Sequence, residues 1–161
     1  MNRRWVRWLA TGFGLGYLPW APGTFGTLPG VALVLLLRST CGWGEWAPVV
    51  ALVAALGAVP VCTSAEHMFG QRDDRRIVAD EYLTFPIAVL GLPLEQHPVG
   101  WLLGAFVLVR LLDIVKPWPA RPLERCPGGW GIVLDDVVAA SYACALLHGV
   151  TRGLLPLVRG G

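Results

Sequence analysis

The stretch IVADEYLTFPIAVLGL, residues 77–92, sets Asp80 and Glu81 side by side inside an otherwise uncharged apolar run. The arrangement returns twice. WLLGAFVLVRLLDIVKPWP, residues 101–119, encloses Asp113, and GIVLDDVVAASYACALL, residues 131–147, encloses Asp135 and Asp136. An aspartate at the centre of a lipid-facing helix costs about 2.5 to 3.5 kcal/mol. Five unpaired carboxylates would therefore rival the net stability of a whole domain, about 5 to 15 kcal/mol. Nearby in sequence, Arg110 and Lys116 are the available cations, too few for five acids. Clustered carboxylate oxygens most readily hold hard divalent cations. The pattern points to a Mg²⁺-type site inside a bundle of apolar helices.

Composition fits that setting. The 161 residues suit a single domain spanning 1–161. An apolar content of 55%, a mean hydropathy of +0.57, 15% charged residues and eight Trp indicate membrane association. A net charge of +2 is too small to suggest a nucleic-acid partner. The twelve Arg and one Lys border apolar segments in groups: Arg3, Arg4 and Arg7; Arg72, Arg75 and Arg76; Arg121 and Arg125. Such groups suit lipid headgroups and cytoplasmic loops. The basic start is followed by an apolar run broken at Gly12, Gly14 and Gly16 with no small-residue cleavage site, so a removed signal peptide is not expected. Cys41, Cys62, Cys126 and Cys144 have no metal or redox spacing and read as packed thiols.

No alternating pattern bounded by hairpin turns occurs, so the expected class is all-α, a compact bundle. Residues 8–37 carry no charge, but GYLPWAPGTFGTLPG at their centre is rich in Gly and Pro. This predicts a short helix, a structured loop, and a second helix from about Gly30 to Arg38. Trp46 to Ala65 is an uncharged run of twenty residues and the one full span expected, with Pro60 kinking or shortening it. Further helices are predicted over Ile77–Leu90, interrupted near Pro86, over Pro98–Lys116, and from about Ile132 to Val150. PWPARPLERCPGGWG reads as a loop. The arginine groups punctuate nearly every segment, so counting positive charges leaves the topology open between a compact bundle sunk partly into the membrane and four clean crossings.

Neighbouring helical residues point about 100° apart, so a vicinal acidic pair sends one carboxylate inward and the other to the flank. Arg110 and Lys116 lie three residues either side of Asp113 and share its face. Less specific readings stay open: Asp135 and Asp136 as helix N-terminal acids, Asp80 and Glu81 as partners of Arg75 and Arg76, Asp113 as a local pair with Arg110 or Lys116. The segment Ala21 to Gly30 has the ingredients of an anion cradle, with Gly23 and Gly26, the hydroxyls of Thr24 and Thr27, and a helix N-terminus following at Gly30. An ordinary connection has the same composition. His67, His97 and His148 lie in no catalytic context, and there is no Asp-x-Asp, Gly-x-Ser-x-Gly or phosphatase-spaced Cys and Arg.

Four ordered blocks carry a resemblance. They are Thr11 to Gly14 with Ala21 to Gly26; Asp74 with Ile77 to Glu81; Arg110 to Asp113 with Lys116 to Pro119; and Gly128 to Ile132 leading to Asp135 and Asp136. In these the chain resembles the phosphatidylglycerophosphatase A family of bacterial phospholipid synthesis. The resemblance implies an all-α bundle with one central helix and Mg²⁺-dependent hydrolysis of the phosphate monoester of phosphatidylglycerophosphate, releasing phosphatidylglycerol and phosphate. It implies a phospholipid substrate and a site at the cytoplasmic face of the bacterial inner membrane, and leaves the oligomeric state open. Carried over, Asp80, Glu81, Asp135 and Asp136 are metal ligands and Asp113 a further ligand or a base. Lys116, Arg110 and the segment Gly23, Thr24, Gly26 and Thr27 bind phosphate. The chain departs from the family pattern at Thr27, usually Ser, and at Thr84 and Ala140, both usually Gly. Another Mg²⁺ enzyme of phospholipid or isoprenoid phosphates is the main alternative, and a carrier using buried acids a lesser one.

Overall fold

The computed structural model of the chain describes residues 2–40 and 43–154; Cys41 lies outside them. Seven α-helices appear among the described residues, and no strand: α1 (Arg3–Ala10), α2 (Pro22–Thr40), α3 (Ala47–Phe69), α4 (Ala79–Ala88), α5 (Pro98–Val115), α6 (Ala120–Leu123) and α7 (Gly129–Gly149). The all-α expectation holds. Cys62 is buried, and Cys126 and Cys144 are half-buried free thiols.

Among the described residues four helices are long and apolar enough to cross a membrane: Pro22–Thr40, Ala47–Phe69, Pro98–Val115 and Gly129–Gly153. The count exceeds the one full span read at Trp46–Ala65 and matches the alternative of four crossings, and the helix boundaries also differ from those predicted. The Gly/Pro-rich segment is not a loop, because α2 starts at Pro22 and runs through Pro29. Proline at a first helical position loses no hydrogen bond. An interior proline costs about 3 kcal/mol, and the packing of α2 on α4 offsets that cost. Gly23, Gly26 and Gly30 form the face of that contact. A Cβ on Gly30 would sit 2.6 Å from the Tyr82 carbonyl oxygen and 2.8 Å from Phe85 Cβ, so small residues are what let the two backbones approach. The helix α3 likewise passes through Pro60 to Phe69, and α4 contains Pro86 without interruption. At the other end, α7 begins at Gly129 rather than Ile132, and the expected loop before it contains α6.

The short helix α4 is the central one, packed by α2, α3 and α7, as the family resemblance implies. Its 10 residues rise about 15 Å, half the roughly 30 Å of a bilayer core. Phe85, Ala88 and Val89 join Val34, Leu102, Val109 and Ala143 in one buried cluster; Ala79 and Tyr82 join Ala58, Cys62, Ala65 and Val133 in another. Around this core the outer faces are apolar and exposed: Leu52, Val53 and Leu56 on α3, Leu103, Leu111 and Ile114 on α5, Leu146 on α7. That pattern suits helices solvated by lipid.

Contacts fix the two ends of the bundle. At one end Arg38 pairs with Glu95 at 3.1 Å, Trp43 Nε1 donates to the Val89 carbonyl at 3.4 Å, and a His148 ring nitrogen meets the Leu90 carbonyl at 2.8 Å. At the other, Arg72 donates to the carbonyls of Glu124 and Cys126 at 2.6 and 3.0 Å. This second end carries the N-termini of α2, α4 and α7 and the C-terminus of α5.

Candidate active site

At the second end lies a cavity of about 450 Å³. All five carboxylates line it, with Arg75, Arg110, Lys116, Asp73 and the first turn of α2. A slightly larger groove of about 500 Å³ between α1, α2, α3 and α4 is lined by aliphatic residues, Phe13 and Tyr82, and contains no charged group. The chemistry belongs to the smaller cavity.

Each acid is delivered by a helix end. Asp80 and Glu81 stand in the first turn of α4, where the helix dipole favours negative charge. Asp113 is in the last turn of α5, and Asp135 and Asp136 are in the second turn of α7, not its first. The N-terminal reading of the α7 pair is therefore set aside. Arg110 bridges Glu81 at 3.3 Å and Asp113 at 3.2 Å. Lys116, left-handed at φ 51° where α5 ends, pairs with Asp135 at 2.8 Å and also with Glu124, the residue after α6. The pairing of the α4 acids with Arg75 and Arg76 is not seen: Arg76 binds Asp74 at 2.6 Å, and the α4 acid with a cation is Glu81, on Arg110.

These pairs leave much unsatisfied. One oxygen each of Asp80, Glu81, Asp135 and Asp136 is buried with no hydrogen-bond partner, as are Nε and Nη1 of Arg110. Buried charge without a partner costs several kcal/mol or is neutralised. Accordingly burial and the adjacent Glu81 push Asp80 well above the usual carboxylate range. Burial likewise pushes Glu81 up to about 8, although Arg110 pulls the other way. A divalent cation would relieve both, and an all-oxygen donor set suits Mg²⁺. Among the described residues no three His, Cys, Asp or Glu side chains are placed to hold one ion together. Mg²⁺ is commonly held by one or two carboxylates, several waters and substrate phosphate, so the donor set fits that cation without a closed cage.

The four expected phosphate-binding residues divide. Gly23 and Thr24 line the cavity, and the first turn of a helix leaves their N–H groups without intrahelical acceptors. Any Cβ on Gly23 would collide with Glu81 Oε1 and lie 2.5 Å from Arg110 Nη2. Gly26 and Thr27 do not line it. Gly26 packs against Val78, and the Thr27 hydroxyl is fully buried and donates to the Gly23 carbonyl at 2.9 Å. They are helix-packing residues because the helix starts eight positions before Gly30, at Pro22.

Sequence reading missed Asp73 and Glu124, and placed Arg75 only as a candidate ion-pair partner of the α4 acids. Of the Asp73-Asp74 pair it favoured Asp74, whose buried carboxylate is hydrogen-bonded by Arg76 and held below the usual carboxylate range by it. Two adjacent acids in a tight loop carry no periodicity to say which faces inward.

A family model described as phosphatidylglycerophosphatase A matches residues 8–151. The chain belongs to the phosphatidylglycerophosphatase A family, phosphoric monoester hydrolases. It is 36% identical over 151 residues to phosphatidylglycerophosphatase A of Haemophilus influenzae, covering 93% of this chain and 91% of that one. The Escherichia coli phosphatidylglycerophosphatase A is 36% identical over 141 residues, covering 87% and 80%. A protein of Bacteroides thetaiotaomicron described as a proposed phosphatidylinositol-3-phosphatase is 36% identical over 143 residues, covering 86% and 89%. No solved structure matches. The positions where this phosphatidylglycerophosphatase A family member departs from the usual pattern are all fully buried: Thr27, Thr84 and Ala140. The Thr84 hydroxyl donates to the Asp80 carbonyl at 2.7 Å, so its polar atom is satisfied within α4. These changes alter packing behind the cavity and add no group to its lining.

Proposed function

We propose that the protein removes the terminal phosphate from phosphatidylglycerophosphate, with Mg²⁺ as cofactor, as a step of phospholipid synthesis. One observation carries this: in a phosphatidylglycerophosphatase A chain, acids from three apolar helices converge on one cavity where four carboxylate oxygens have no partner. Phosphate monoester hydrolysis demands accelerations up to about 10²¹-fold. When bound, Mg²⁺ neutralises phosphate charge and lowers the pKa of water. Of Asp80, Glu81, Asp135 and Asp136, one or two would hold the cation directly and the others through its bound waters. Asp113, on the same face as Arg110, orients the attacking water. Arg110, whose Nε has no partner and whose Nη1 lies 3.3 Å from Glu81 without a hydrogen bond, offers these donors to the phosphate, and Gly23 and Thr24 present N–H groups at the positive end of α2. Lys116 exchanges one of its two carboxylate partners for a phosphate oxygen.

Orientation follows from charge. Arg72, Arg75, Arg76, Lys116, Arg121 and Arg125 gather at the cavity end, with the exposed Trp118 and Trp130, whereas Arg38 and Arg152 lie at the other. With four spans in place this asymmetry supports a cytoplasmic cavity in the bacterial inner membrane. The second reading, another phospholipid phosphate, is favoured by the description of the Bacteroides relative. The deciding experiment measures phosphate release by purified protein from phosphatidylglycerophosphate, phosphatidylinositol 3-phosphate and phosphatidic acid, with Mg²⁺ and with EDTA. Release from the first, abolished by EDTA, is the expected result. Preference for another lipid moves the substrate, EDTA-insensitive release removes the metal, and ion flux in liposomes without any release favours a carrier.

A further inference from the structure

The loop between α3 and α4 splits its two acids. It leaves α3 through Gly70, left-handed at φ 71°, and takes a second left-handed residue at Asp73, φ 49°. For a residue with a Cβ that conformation costs about 1 to 2 kcal/mol. Two contacts hold it there. The Asp73 N–H donates to Glu66 Oε1 at 3.2 Å, and the neighbouring Asp74 carboxylate accepts from the backbone N–H of Arg76 at 3.0 Å and its Nε at 2.8 Å. With Asp74 committed to Arg76, Asp73 lines the acidic cavity. Its carboxylate makes no hydrogen bond or ion pair among the described residues, yet it lies within electrostatic reach of Lys116, Glu124 and Asp113, and of Asp80 and Glu81. Three of the four left-handed non-glycine residues among those described, Ala21, Asp73 and Lys116, line this one cavity. Strain gathered around a site whose deepest acids, Asp80 and Asp136, each keep a buried oxygen unpartnered is what pre-organisation of ligands produces.

We propose that Asp73 is a sixth carboxylate of the cation centre, held at the cavity mouth by a strained turn so that it contributes an oxygen to a divalent cation. This rests on the Mg²⁺ reading above. The competing account makes Asp73 a turn former, since Asp and Asn both tolerate the left-handed region. Two variants separate these accounts. Asp73→Asn keeps shape and turn preference and removes the charge; Asp73→Gly removes the carboxylate and relieves the strain. Full-length protein in detergent is titrated with Mn²⁺ by electron paramagnetic resonance, and thermal unfolding is recorded without divalent cation. Both variants should bind Mn²⁺ at least about 10-fold more weakly than wild type, with cation-free melting unchanged or raised because acid–acid repulsion is relieved. If wild type binds Mn²⁺ and both variants match it, Asp73 is a turn residue and the proposal fails while the cation centre stands. If wild type itself binds no Mn²⁺, the cation centre fails and takes the proposal with it.

Discussion

Replacing Gly26 by alanine tests the packing that builds the cavity wall. Alanine is the better helix former by about 1 kcal/mol, so propensity alone predicts stabilisation. Gly57 in α3 is the control: a Cβ there meets nothing within 4 Å, and Gly57→Ala should stabilise by about 0.5 to 1 kcal/mol. On Gly26 the same atom would overlap Val78 Cβ and lie 2.8 Å from Val78 Cγ1 and 2.7 Å from Glu81 Oε2. Val78 is fully buried and β-branched and cannot swing aside. Overpacking costs about 1 to 3 kcal/mol, which leaves Gly26→Ala destabilised by about 0 to 2 kcal/mol once the propensity gain of about 1 kcal/mol is subtracted. Relative to Gly57→Ala the melting temperature should fall by several degrees, at about 2 to 4 °C per kcal/mol for a chain of this size. Phosphate release should fall with it, because Glu81 and its partner Arg110 are displaced. Circular dichroism melts in detergent and a phosphate assay on the same preparations measure both. A Gly26→Ala protein as stable and active as Gly57→Ala would refute the close contact of α2 with α4.

Asp80→Asn and Asp136→Asn should each lower phosphate release by orders of magnitude while retaining helical circular dichroism, since each removes a buried carboxylate that has no ion pair; retained activity in both would dismiss the assigned ligands. Without divalent cation, stability should fall as pH rises from about 4.5 toward 8, because the unfolded Glu81 ionises first while burial holds the folded carboxyl protonated up to about 8. The Glu81→Gln variant should show a flatter pH dependence in the same melts, and an unchanged slope would remove Glu81 from the account. Cysteines introduced at Arg75 and Arg125 should react with an impermeant reagent in inverted vesicles and not in intact cells. Labelling of both in intact cells would reverse the orientation.

The helices that hold their period were readable. The predicted segment Pro98–Lys116 and the observed α5, Pro98–Val115, differ by one residue, because proline marks both ends of that segment. Legibility failed where tertiary contact overrides local preference. The Gly and Pro content of residues 21–30 argues for a loop by propensity, yet the same glycines are what α2 needs to lie on α4. A stripe of small residues at helical spacing was present in the sequence; its partner helix was not. The count of spans differs for this reason at α2, which reaches full length only when its glycine-rich first turns are included, whereas α5 was already long enough as predicted.

The division of labour within the acidic pairs was legible from helix geometry alone, and the structure gives it a charge balance. In α4 the flanking acid, Glu81, meets Arg110; in α7 the flanking acid, Asp135, meets Lys116. The inward members, Asp80 and Asp136, are 7% and 2% exposed and have no ion pair among the described residues. Arg110 and Lys116 are already shared, the first with Asp113 and the second with Glu124. Protein cations therefore compensate the flanks and leave the floor of the cavity negative. A structural ion-pair network would close by matching every acid, because an unmatched buried charge destabilises the fold. This one leaves both inward acids without a cation at the point where the acids of α4 and α7 come within reach of each other. A bound divalent cation would supply charge that Arg110 and Lys116, each already shared by two acids, do not.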